Sequence, residues 1–252
     1  MDKLLTLILP YYNQPKMLWR QVEEIEKYPD SVRCIVVDDG SMDVPLDDQA
    51  TPPPAFLDVY RIIEDILWNR GMARNLGAYV CETEWLIQTD IDHILPVESV
   101  ENLLKYMEKL DPMRWYRFPR WRVGAADDTR KKDEIHHRKK FGQIKPHIDS
   151  YLMRRDMFFT SPYDERYAGC LGGGSPFLSR MTQIHDEPLL LPENICLHVH
   201  TKNSVPDASV TDLSRDREEY KRRRAQFADS APKKILFGGR PEGQEPGWIK
   251  IS

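Results

Sequence analysis

The residues most able to do chemistry sit in one short stretch, Thr89-Asp90-Ile91-Asp92-His93. Asp90 and Asp92 are spaced i, i+2, and side chains at that spacing on an extended segment point to the same side. Two converging carboxylates suit a hard divalent cation, which prefers oxygen ligands. His93 follows directly and is a further candidate ligand. Two other acids, Asp38 and Asp39, close the apolar run Cys34 to Val37, and the polar group Tyr11 to Asn13 closes the run Leu4 to Leu9. His198 and His200 alternate along the segment from Ile195 to His200 and share one face. For each histidine alone, a hydrogen-bonded structural ring is the plainer reading; for Asp38 or Asp39 it is the capping of a strand end.

These residues need elements to position them. Leu4 to Leu9 reads as a fully buried strand of the kind found in parallel sheets. Asn13 as an N-cap and Pro15 in the first turn predict a helix over 14–28, with Leu18, Val22 and Ile25 facing inward. Cys34 to Val37 is the second strand. Residues 42–55, with three consecutive prolines from Pro52, read as an irregular surface loop. Phe56 to Ile63 is the third strand. Asn69 caps a helix reaching about Cys81, and Trp85 to Gln88 is a fourth strand leading into the acidic triplet. Pro96 opens a helix with Val97, Val100, Leu103, Leu104 and Met107 as its apolar stripe, closed by Asp111-Pro112. Strand and helix therefore alternate through the first 110 residues, as in an open doubly wound sheet. Ligands of such sheets sit outside the carboxyl ends of the strands. Tyr11–Asn13, Asp38–Asp39 and Asp90–Asp92 all lie just past strand ends, so this topology brings them to one edge.

The second half is less regular. Aromatic residues and arginines interleave over 114–123. Residues 127–147 are strongly charged and read as a solvated loop, or as a lid or acceptor loop that meets anionic groups. Ser150 to Arg154 and Ile195 to His200 are strand candidates, 212–228 is a charged helix candidate, and the chain from Gly238 onward reads as a loosely ordered tail. This organisation predicts one domain over 1–210, with a regular half (1–110) and a less regular half (111–210), followed by a charged helix and tail over 211–252. The composition, 252 residues with 40% hydrophobic and 30% charged, is that of a globular protein. A net charge of −4 provides no general attraction to nucleic acid. No apolar run reaches the roughly 18 residues that span a bilayer. Four scattered cysteines without a C-x-x-C pair suit reduced thiols and a cytoplasmic setting.

Taken together and in order, the motifs resemble a family 2 glycosyltransferase with a GT-A fold, a mostly parallel Rossmann-like sheet flanked by helices. Pro10-Tyr11-Tyr12-Asn13 resembles the loop after the family's first strand. Val36 to Ser41 is similar to its V-D-D-G-S segment, Asn69 to Ala78 to its N-x-G-x-A helix start, Thr89 to Asp92 to its D-x-D position, and Tyr163 to Tyr167 to its F-D-E-x-F segment. The resemblance implies a donor that is a nucleoside-diphosphate sugar, UDP-linked, and an acceptor hydroxyl such as that of a glycan. It implies Pro10, Tyr11, Asn13, Asp38, Asp39, Arg74 and Asp90 on the nucleotide, with Asp38 or Asp39 accepting from a uracil-type N–H. It implies Asp90 and Asp92 on Mn²⁺ or Mg²⁺. The segment His200-Thr201-Lys202-Asn203 resembles that of galactosyltransferase-like members, in which a histidine completes the metal shell, and so adds His200. Inverting members carry an acid after the F-D-E-like segment that deprotonates the acceptor. Here that stretch is Gly172-Gly173-Gly174-Ser175-Pro176, without a carboxylate. Asp164 or Glu165 is then the nearest candidate for the role; capping or ion pairing with Arg166 or Arg180 is their alternative duty. Asp186 and Glu187 lie one predicted helix further on. The missing acid also leaves a second reading, a nucleotide-sugar-binding module without catalysis.

Overall fold

The computed structural model describes residues 3–46, 52–66, 69–123, 132–133, 137–138, 143–144, 146, 149–169, 174–200, 213–227 and 247–252. The first half runs β1 (Leu5–Tyr11), α1 (Pro15–Ile25), β2 (Val32–Asp38), β3 (Leu57–Ile62), α2 (Arg70–Val80), β4 (Trp85–Gln88), β5 (His93–Ile94) and α3 (Val97–Tyr106). The second half has β6 (Tyr116–Arg117), β7 (Arg120–Val123), the two-residue strands β8 (Lys132–Asp133), β9 (His137–Arg138) and β10 (Gln143–Ile144), then β11 (Tyr151–Arg154), α4 (Arg155–Thr160), α5 (Gly174–His185), β12 (Leu189–Leu190), β13 (Leu197–His200), α6 (Leu213–Phe227) and β14 (Trp248–Lys250).

Eight strands form the central sheet in the order β12-β6-β11-β4-β1-β2-β3-β14. Its middle is parallel: β1 pairs with both β2 and β4, and β2 pairs with β3. β11 runs antiparallel to β4. The alternation of side chains along each strand divides the core between two faces. Leu7, Leu9 and Val36 meet α1 and α3 on one side; Ile8, Ile35 and Val37 meet α2, α4 and α5 on the other. Burial on both faces explains the near-continuous apolar runs of β1 and β2. A smaller sheet, β5-β13-β7-β8, stands beside the ends of β4 and β11.

Two local expectations change. Asn13 is not the cap of α1: Gln14 holds the cap position, Pro15 opens the helix, and Asn13 adopts a left-handed backbone with φ 47°. The end of the chain is not loose throughout. Gly247 to Ser252 return to the central sheet, where β14 pairs antiparallel with β3 and Trp248 packs edge-on against Tyr60, ring centres 5.8 Å apart. Residues 238–246 of that expected tail lie outside the described residues, as do 228–237, most of the charged stretch 127–147 and the glycines 172 and 173. Among the described residues, no helix is long and apolar enough to cross a membrane.

Candidate active site

The register of the parallel strands sets Tyr11 beside Asp38 and Ile8 beside Gln88, so the strand ends share one edge. The two acids after β2 divide their work there. Asp38 is fully buried, and its carboxylate accepts from the amides of Ser41 (2.8 Å) and Leu46 (2.9 Å), shaping the turn. Gly40 makes that turn possible with φ +77°; a Cβ there would lie 2.4 Å from the Glu64 carbonyl oxygen. Asn13 braces the same loop, its Oδ1 accepting from the amides of Asp43 and Val44, and the Tyr11 hydroxyl donates to the Val44 carbonyl. Pro10 lies buried at the end of β1. Asp39 does none of this bracing. It is 2% exposed, and its Oδ1 has no hydrogen-bond partner among the described residues. Burial, with the Asp38 charge alongside, pushes its carboxyl well above the usual carboxylate range.

Past β4, the carboxylates of Asp90 and Asp92 and the ring of His93 bring their ligand atoms within 4.8 Å of one another. Burial raises the Asp92 carboxyl and lowers the His93 imidazole, which favours the neutral ring a cation needs. The Ser150 hydroxyl lies 3.3 Å from His93 Nδ1 and 2.9 Å from the Thr89 hydroxyl, orienting the ring. Two carboxylates and an imidazole suit Mn²⁺ and tolerate Mg²⁺. His200 ends β13, one residue beyond the Val199–His93 pair in an antiparallel register, so its backbone approaches Asp92. The His200 side chain lies outside the described residues. His198 pairs with Ile94.

Arg74 is buried, 1% exposed, on the first half of α2. Its guanidinium donates to Asp90 Oδ1 (2.5 Å), to the Asp149 carbonyl (3.1 Å) and to the Tyr163 hydroxyl (2.9 Å). The salt-bridging alternative is thus the one the geometry displays for Arg74. Arg70, one turn earlier, is the more exposed cation, 3.4 Å from Asp90. Asp164 caps the short 3-10 turn 165–167 and holds Arg166 through both oxygens, at 2.8 and 2.6 Å. Glu165 is 1% exposed and receives the Asn75 amide at 2.8 Å. Both candidate bases therefore have structural partners. Arg70, Asp149 and Ser150 were given no site role by sequence reasoning; for Asp149 and Ser150 the one signal was the predicted strand 150–154, whose observed pairing sets its beginning at the end of β4.

The family described as "Glycosyl transferase family 2" matches residues 6–168. Among curated proteins, none matches. Among solved structures, the mannosyltransferase PcManGT from Pyrobaculum calidifontis, in complex with GDP-Man and Mn²⁺, is similar at TM-score 0.53 and 16% identity, over 90% of this chain and 62% of that one. S. aureus TarS 1-349 is similar at TM-score 0.56 and 14% identity, over 79% of this chain and 60% of that one. A second structure of S. aureus TarS is similar at TM-score 0.56 and 13% identity, over 90% of this chain and 44% of that one. These likenesses show a shared fold, and the chain spans less than two thirds of each of those proteins.

Proposed function

The chain belongs to glycosyl transferase family 2, and from that membership we propose that it transfers a sugar from a nucleoside-diphosphate donor, UDP-linked, to a hydroxyl acceptor such as a glycan. The observation that carries this reading is the meeting of Asp90, Asp92 and His93 at the strand edge that also holds the buried Asp39 oxygen, unpartnered among the described residues. Asp39 accepts from the N–H of a uracil-type base. The loop braced by Asp38, Asn13 and Tyr11, with Pro10 at the end of β1 beneath it, encloses the nucleoside. Asp90, Asp92 and His93, with His200 as the resemblance implies, hold Mn²⁺ or Mg²⁺. The cation supplies neutralisation of the charge that grows on the departing diphosphate. Arg70 adds positive charge at the mouth of the site, and Arg74 orients Asp90 from behind. The buried thiols of Cys34 and Cys81 support a cytoplasmic setting.

The test is nucleoside diphosphate release from a panel of nucleotide sugars with Mn²⁺, beside calorimetry with UDP, GDP, ADP and CDP. Release from one donor, with UDP bound well above ADP and CDP, is expected. A chain that binds a donor but never releases its diphosphate, acceptors included, is the binding module suggested by the acid-free stretch 172–176.

A further inference from the structure

Transfer to a hydroxyl needs a nearby group to take the hydroxyl proton, and the carboxylates near the site differ in their ability to meet one. The Asp164 side chain is 0% exposed and clasped by Arg166. Glu165 is shut in against Asn75. Asp186 lies at the other end of the strands, where its carbonyl accepts from Trp115, ahead of β6. Asp90 and Asp92 face the cation position. Asp149 is placed differently from all of these. It stands just ahead of β11, which pairs Tyr151 with Gln88, so the antiparallel return sets Asp149 beside Asp90 at the reactive edge. Arg74 bridges the two: it bonds Asp90 Oδ1 and the Asp149 carbonyl, and its Nη1 lies 3.7 Å from Asp149 Oδ1. The same Asp149 oxygen lies against the first residue of α5. A Cβ on Gly174 would come within 2.2 Å of Oδ1, so glycine at this position leaves the room that the acid occupies. The Asp149 side chain keeps 12% of its surface open.

Resting on the function proposed above, we propose that Asp149 is the base of the transfer, standing beside Gly174, in a stretch of sequence that lacks an acid of its own. Asp149 takes the proton of the acceptor hydroxyl. The acceptor oxygen forms its bond to the anomeric carbon. The bond from that carbon to the diphosphate oxygen breaks, its electron pair leaving with the nucleoside diphosphate, and the anomeric configuration inverts. Arg74 is a positioning residue that fixes Asp149 relative to Asp90.

The experiment compares wild type with Asp149→Asn, Asp149→Ser, Asp164→Asn and Glu165→Gln. Readouts are thermal stabilisation by UDP plus Mn²⁺ and UDP release from the best UDP-sugar, with water and then with azide as nucleophile. Azide arrives without a proton to lose. Both Asp149 variants should keep the stabilisation, release UDP to water about 10²–10⁴-fold more slowly, and recover release when azide is added. Wild-type release in either Asp149 variant overturns the proposal. So does intact stabilisation with no recovery by azide, which assigns Asp149 to positioning alone, and so does the same azide-recoverable loss in Asp164→Asn or Glu165→Gln with the Asp149 variants unaffected. Asp149→Ser, smaller than the native side chain, decides the matter if Asp149→Asn does not fold. If wild type itself shows no stabilisation by UDP plus Mn²⁺, or binds without release, the functional reading fails first and the base assignment falls with it.

Discussion

At the scale of single residues, adjacent acids have opposite duties. Asp38 and Asp39 are alike in sequence, and the motif alone leaves open which of them meets the nucleobase. Backbone geometry separates them: the amides of Ser41 and Leu46 occupy Asp38, while an Asp39 oxygen stays buried and, among the described residues, unpartnered. Replacing Asp39 by Ala should lower UDP affinity about 10- to 100-fold, as expected when the buried base N–H loses its acceptor, and calorimetry measures it. Replacing it by Asn instead should stabilise the unliganded protein. Burial raises the Asp39 carboxyl, so the folded state holds its proton more tightly than the unfolded state does. The ionised form therefore works against the fold, with a cost that is absent below the ordinary carboxylate pKa of about 4 and grows as pH rises from there to the raised folded value. Thermal denaturation should show Asp39→Asn above wild type at pH 7 and level with it near pH 4. For Asp92→Ala, the stabilisation by UDP that depends on Mn²⁺ should disappear while the small metal-free part persists. An unchanged thermal shift in that variant would remove Asp92 from the cation site.

At the scale of elements, β1, β2, β4 and the helices between them were legible because each carries a dense local signal, apolar runs or a 3.6-residue stripe. Strand direction carries no such signal. That is why the return of β11 along β4, and with it the approach of Asp149 and Ser150 to the site, could not be read from residues 150–154. The same limit hid β14. Trp248-Ile249-Lys250 is too short to announce a strand, and its partner is β3, on the far side of the chain in sequence. Its contribution can be measured. Trp248→Ala should cost about 1–2 kcal/mol, since the ring is only partly buried against Tyr60. Deleting 247–252 should cost more, because it also removes backbone bonds between Ile63 and Gly247 and between Val59 and Ser252. Equal urea midpoints for wild type and the deletion would show that β14 is not held in solution.

At the scale of the whole molecule, the sheet edge joins residues from positions 10 to 150 into one site, so occupancy of the site should be felt by the entire domain. UDP and Mn²⁺ together at about 100 times their dissociation constant should add about 2.7 kcal/mol to unfolding, and EDTA should return most of it; a gain indifferent to EDTA would argue that the nucleotide binds without the cation. Order in sequence also has a consequence in time. Lys250 bonds Asp58 across 192 residues and Ser252 bonds Leu57 across 195. On a ribosome, β3 would emerge early and wait for nearly the whole chain with one row of amides and carbonyls unmatched. Such an edge is a template for a neighbouring nascent chain, and long separations slow its proper closure. Yield in a cell should therefore depend on translation speed and on chaperones that shield an open strand, more than the stability of the finished protein would suggest.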